Sequence, residues 1–213
     1  MFGPGLDSRT SKLVRSILAD PAPPTQPARF SVTGMVPGAF AGMGSGISLR
    51  FAEHQFNLIT LYSNTKARRQ QRNAQNRVQD NKLFRHAGSV FEVTPSIQEL
   101  CRRSQAFVYV VDASKSPEEV SDSWQELSAM ACPLWTPAGL PLLVLACSRG
   151  SWSPSWSGPE PLPPARIASL LHLGRLNRRW LVQAGEVESL HGVRSGFQWL
   201  LSNINPVMAF AHR

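Results

Sequence analysis

Two apolar periods run through this chain, one of about two residues and one of about 3.6, and where each holds decides the element. Residues 7–18 carry the helical period. Leu13, Val14 and Ile17 share a face, and Asp7 is placed to cap the first turn. Pro21, Pro23, Pro24 and Pro27 end that helix, because proline has no N–H and stiffens the backbone, so 20–28 is predicted as a linker. Residues 29–46, with Gly34, Gly38, Gly42, Gly44 and Gly46, are predicted as mostly loop. Ile47, Leu49 and Phe51 alternate, and so do Phe56, Leu58, Thr60 and Tyr62, with 52–55 as the turn of a hairpin. Ile59 and Leu61 fill the other face of the second strand, which makes it central. Residues 66–86 show no strand pattern. Their good helix formers over a thin apolar face of Ala67, Ala74 and Val78 predict a solvated helix.

From Val90 onward the two periods take turns. Val90–Val93 is a short strand, and Pro95 opens a helix to Arg103 with Ile97 and Leu100 inward. Ala106–Val111 and Leu140–Cys147 are near-continuous apolar runs, as in strands buried on both faces. Between them, Ser116-Pro117-Glu118-Glu119 is a helix start, predicting one helix to about Met130 with Val120, Trp124 and Leu127 inward. Ser148–Pro164 is rich in Ser, Pro and Trp and reads as loop. Pro164 starts a helix through Ile167, Leu170 and Leu171. Arg179–Gln183 is a strand beginning with an inward Trp180, and Gly192–Ile204 is a closing helix whose Val193, Phe197, Leu200 and Ile204 share one face, with Trp199 also inward. Strands alternating with helices predict an α/β fold: three layers, a mostly parallel sheet with helices on both faces, plus an N-terminal helix and linker. The expected division is 1–28 for helix and linker, 29–205 for the main domain and 206–213 for a tail.

Composition narrows the classes. Of 213 residues 42% are hydrophobic, enough for a core, and the net charge is +8. Most of that charge sits in one element: Lys66, Arg68, Arg69, Arg72, Arg77, Lys82 and Arg85 face only Asp80. No apolar run approaches the roughly 20 residues that span a bilayer, and Met1–Gly5 has no secretory pattern. Cys101, Cys132 and Cys147 are odd in number and unpaired in spacing, which fits a reducing compartment rather than a disulfide framework.

Phe107-Val-Tyr-Val-Val-Asp112, Leu142-Leu-Val-Leu-Ala146, Trp180-Leu-Val-Gln-Ala184 and Gly192-Val-Arg-Ser-Gly196-Phe-Gln-Trp199-Leu200 resemble the later strands and last helix of Arf-type small GTPases. A longer set resembles the C-terminal part of the F-box only protein 4 family: Leu6–Leu13, Gly44-Ser-Gly46, Phe56-Asn57, Leu61-Tyr-Ser63, Leu140–Leu145 and Trp180–Gln183. That resemblance implies a degenerate small-GTPase (Arf-like) fold serving as the substrate-binding part of an SCF-type ubiquitin-ligase receptor. It implies telomeric repeat-binding factor or cyclin D as protein substrate, and a cytoplasmic or nuclear location. The helical F-box module is not recognised in these residues, so the Skp adaptor is expected as a partner only if an F-box lies upstream.

Chemistry is tested against the same residues. A phosphate cradle after the Phe56–Tyr62 strand needs glycine for close backbone approach. The chain has no glycine from Ile47 to Ala87. Thr94-Pro95 stands where an Asp-x-x-Gly would help hold magnesium, and Cys147-Ser148-Arg149-Gly150 stands where a guanine-reading Asn-Lys-x-Asp would be. No nucleotide cofactor, metal or catalytic residue is therefore assigned. A divergent Arf-like GTPase is the enzymatic alternative. Asp112 closes a buried strand and reads as a cap. His54, His86, His172, His191 and His212 lack metal-ligand spacing. The 66–85 segment offers phosphate-neutralising charge but only Phe84 for stacking, so a nucleic-acid module is the weaker alternative to an acidic protein partner. Trp152 and Trp156 stand in a proline-held loop, either as interface anchors or folded back on the domain. With Leu162 and Ile167 they form the candidate partner-binding set.

Overall fold

The computed structural model describes residues 1–3, 7–23, 25–36, 44–61, 83–87, 90–148 and 160–204. Helix α1 (Asp7–Leu18) forms where the helical period placed it, with Leu13 and Ile17 wholly buried. Strands β2 (Gly44–Phe51) and β3 (His54–Leu61) make the expected hairpin, and Ala52 takes a left-handed φ of 51° in its turn. A strand β1 (Phe30–Met35) pairs antiparallel with β2, in a stretch predicted as mostly loop. Phe30 is its one buried residue, and a bulge between Val32 and Gly34 breaks the register, so no period of two develops in the sequence.

Strands β4 (Phe84–Ala87) and β5 (Val90–Val93) form a second hairpin. The helix expected to run to residue 86 is corrected there: Phe84 pairs with Val93 in the ladder, and both are buried. Residues 66–82 lie outside the described residues.

Strands β6 (Phe107–Asp112), β7 (Leu142–Ser148) and β8 (Trp180–Glu186) form a parallel sheet in that order. Every residue of β6 and β7 is buried, which accounts for their unbroken apolar runs. On β8, an edge strand among the described residues, Trp180 is 38% exposed rather than inward. The helices are α2 (Pro95–Arg103), α3 (Pro117–Asp122), α4 (Trp124–Met130), α5 (Pro164–Leu170) and α6 (Val193–Ser202). The single helix expected over 117–130 is thus two, meeting at buried Ser123. The hydroxyl of Ser123 donates to the Glu119 carbonyl, and its own carbonyl accepts the Tyr109 hydroxyl at 3.2 Å.

Met1 and Phe2 join the antiparallel and parallel halves. The Met1 amine donates to the Ile59 carbonyl at 2.7 Å, and Leu61 N–H donates back to Met1. Phe2 exchanges hydrogen bonds with Val108 and Val110 and runs parallel to β6. The Phe2 ring packs 4.9 Å from that of Tyr109, centroid to centroid. Helices cover both faces, as the fold class requires. One face gathers Phe107, Tyr109, Val111, Leu142 and Val144 with Ile97, Leu127 and Ile167 from α2, α4 and α5. The other gathers Val108, Val110, Leu143 and Leu145 with Leu13 and Ile17 of α1 and Phe197 and Leu200 of α6. Alternate residues of β6 and β7 thus serve alternate faces.

Two glycines let α6 sit this close. Gly192 has φ +74°, and a Cβ there would stand 2.1 Å from the Ala184 carbonyl oxygen. A Cβ on Gly196 would press on Leu143 and Leu145 at 3.1–3.2 Å. Asp20, with a fully buried side chain, locks the chain after α1 to this face. Its carboxylate accepts the N–H groups of Ala22 at 2.9 Å and Phe30 at 2.8 Å, and pairs with Arg194 of α6.

Candidate partner-binding surface

The C-terminal edge of parallel strands is where α/β proteins place function. There the Asp112 carboxylate accepts the N–H of Ser114 at 3.0 Å and shapes the turn after β6. Ala113 donates to the Cys147 carbonyl and accepts from the N–H of Leu162, both at 2.8 Å, so the approach to α5 is stitched onto the ends of β6 and β7. Ser116 and Glu119 close a capping box at the start of α3, and Lys115 pairs with Glu119 at 3.0 Å. Pro163 and Pro164 fix the entry to α5, which packs on α3. Across that contact, Glu118 is held below the usual carboxylate range by its own backbone N–H and the Ser116 hydroxyl, with attraction from Arg166 added. The result is a rim of two short helices and a prolyl segment.

The residues expected to meet a partner are placed unevenly. Trp152 and Trp156 lie outside the described residues. Leu162 is half-buried on the rim and packs against the core. Ile167 is wholly buried, so its side chain belongs to the packing of α5 and not to an outer face. Lys66, Arg68, Arg69, Arg72, Arg77 and Lys82 lie outside the described residues. Arg85 is exposed on β4 and pairs with Glu92 across the hairpin at 3.0 Å. Trp124 is half-buried, edge-on to the His172 ring at 5.6 Å. Among the described residues no group of His, Cys, Asp and Glu is arranged to hold a metal ion, and no helix is long and apolar enough to cross a membrane.

No family model matches the chain. The chain is 34% identical over 215 residues to human F-box only protein 4, a match covering 96% of this chain and 52% of that protein. The cattle protein of the same name is 32% identical and the mouse protein 31%, with the same coverage. The chain spans about half the length of the curated relatives it matches.

Proposed function

We propose that the chain, which is similar to F-box only protein 4 over about half of that protein's length, is the substrate-recognition part of an SCF-type ubiquitin-ligase receptor. The observation that carries the reading is the breadth of the match, which leaves almost none of this chain outside it. The α/β body supports it as a rigid frame on which loops and helix ends face a partner. The order β6, α3, α4, β7, α5, β8, α6 supports a small-GTPase-like frame. Its mechanism is contact and not chemistry: the glycine-free stretch from Ile47 to Ala87 and Gly150 in the guanine-reading position argue against nucleotide binding. Telomeric repeat-binding factor or cyclin D as substrate, and a cytoplasmic or nuclear site of action, follow from the family resemblance alone. Trp152, Trp156 and Leu162 remain the proposed contacts.

The immobilised 213-residue chain is expected to capture one of those substrates without the Skp adaptor, and the same chain fused to an F-box to capture both. Adaptor recovery by the chain alone, or substrate recovery by neither form, overturns the reading. Micromolar binding of labelled GTP with magnesium would instead favour a divergent GTPase.

A further inference from the structure

A cleft of about 750 Å3 opens at the N-terminal edge of the parallel sheet, opposite the rim described above. It lies between the turn leading into β8, with Leu176, Asn177, Arg178 and Arg179, and the end of α6, with Ser202 and Asn203. Among the described residues its walls hold two arginines and no carboxylate. The sequence around it is equally one-sided: Pro161 to Gly185 contains Arg166, Arg175, Arg178 and Arg179 and neither Asp nor Glu.

Neutral groups hold both guanidiniums. Arg178 donates through Nη2 to the Ala131 carbonyl at 2.7 Å and lies 6.0 Å from the centroid of the Phe107 ring. Its Nε and Nη1 are sealed from solvent without an acceptor. Arg179 is exposed and donates through Nη1 to Oδ1 of Asn203 at 3.3 Å, while the Asn203 amide nitrogen donates to the Trp199 carbonyl. Among the described residues neither arginine forms an ion pair, whereas Arg85, Arg102, Arg103 and Arg194 each do. Two adjacent positive charges without a counter-charge in a concave site attract an anion.

We propose that this cleft binds an acidic peptide segment of a protein partner, its carboxylate on Arg179 and within the field of Arg178. The proposal rests on the protein-recognition reading above and names the chemistry of what is recognised. Arg179 makes the contact because it is reachable, and its planar fork matches a carboxylate. Arg178, whose inner nitrogens a ligand does not touch, contributes charge. The other groups favour a peptide over a nucleic acid. The end of α6 is the negative end of a helix dipole, and Asn177, Ser202 and Asn203 offer acceptors as well as donors. A peptide brings N–H groups for those acceptors together with its carboxylate. A nucleic-acid backbone brings dense negative charge and presents phosphate acceptors alone to them.

The test uses three probes on the whole chain: a short labelled peptide rich in Glu and Ser, the same peptide with Gln for Glu, and a short single-stranded oligonucleotide. The acidic peptide is expected to shift the backbone amide resonances of residues 176–179 and 202–204, and the Gln peptide to leave them in place. Arg179→Glu should weaken the acidic peptide by at least about tenfold. Arg50→Gln, which removes an exposed cation on β2, should not. The proposal is overturned if Arg179→Glu leaves affinity unchanged, if the shifts fall elsewhere, if no probe binds, or if the oligonucleotide binds here more tightly than the peptide. Substrate capture by the F-box fusion separates the two failures: if capture persists while the cleft binds nothing, recognition stands and this site falls.

Discussion

Replacing Asp20 with Asn tests what holds α6 to the rest of the body. The Asp20 side chain is fully buried and that of Arg194 only 16% exposed, so the pair sits largely out of water. The Asp20 carboxylate also takes the N–H groups of Ala22 and Phe30, which places one residue at the junction of α1, β1 and α6. Asn keeps the shape but removes the charge, leaving the Arg194 guanidinium buried and uncompensated. Breaking such a pair from one side costs about 3–5 kcal/mol. For a chain of this size that lowers the melting temperature by about 6–20 °C. Arg194→Met alone should cost less, because Asp20 keeps its two backbone donors. Asp20→Asn with Arg194→Met should recover part of the loss, since no unpaired charge remains. Urea unfolding of all four proteins, read by tryptophan fluorescence, gives the cycle. A cost below about 1 kcal/mol for Asp20→Asn, or strict additivity, refutes the reasoning. The pH dependence follows with a definite sign. Burial, the largest influence, pushes the Asp20 pKa up, but Arg194 and the N–H groups of Phe30 and Ala22 together outweigh it and hold the pKa below its ordinary value. The pair's stabilisation is therefore complete above the unfolded carboxylate value of about 3.9 and is lost as pH falls through the lower folded value. Asp20→Asn should remove that acid limb.

Phe2→Ala removes the ring wedged against Tyr109 and should cost about 3–5 kcal/mol. Hydrogen exchange should then quicken at the Leu61 and Val110 amides, which donate to Met1 and Phe2, before it quickens within β7; equal change everywhere argues that the dipeptide does not join the sheet halves. Gly192→Ala forces a Cβ against the Ala184 carbonyl and should cost more than about 2 kcal/mol by thermal unfolding. Gly139→Ala, with a similar positive φ but open space, should cost less than Gly192→Ala, about 1–2 kcal/mol from backbone strain alone.

Legibility in the sequence tracked burial. The runs Phe107–Asp112 and Leu142–Ser148 are buried residue by residue, so every position except the terminal Asp112 and Ser148 carried the apolar signal. The helix face Leu13–Ile17 was read for the same reason. The strand β1 was not, because an edge strand with one buried side chain and a bulge has no period to show. The β4 strand was hidden by Arg85 and His86, polar residues whose pairing with β5 is a tertiary fact. Met1–Phe2 carried no signal at all: two residues cannot display a period, and their place between β3 and β6 is set by hydrogen bonds to residues far along the chain. On the candidate surface, Leu162 and Ile167 looked alike as apolar residues flanking a prolyl helix start. Helical phase separates them, since Ile167 falls on the inward face of α5 and Leu162 precedes the helix.

The arginines give the sharper lesson. Charge counted along the chain pointed to residues 66–85, where cations cluster most densely. Count is a poor guide to which charges are available to a partner, because a paired cation presents little net charge. Arg85 belongs to that run, yet Glu92 compensates it. Arg194 is almost buried, and Asp20 answers it within the fold. Arg178 and Arg179 stand in a stretch that looks less basic but contains no acid, and the residues around them supply carbonyls, an aromatic face and an amide instead of carboxylates. Leaving adjacent guanidiniums uncompensated beside a cleft costs stability, and the missing carboxylate is then one that a partner can supply.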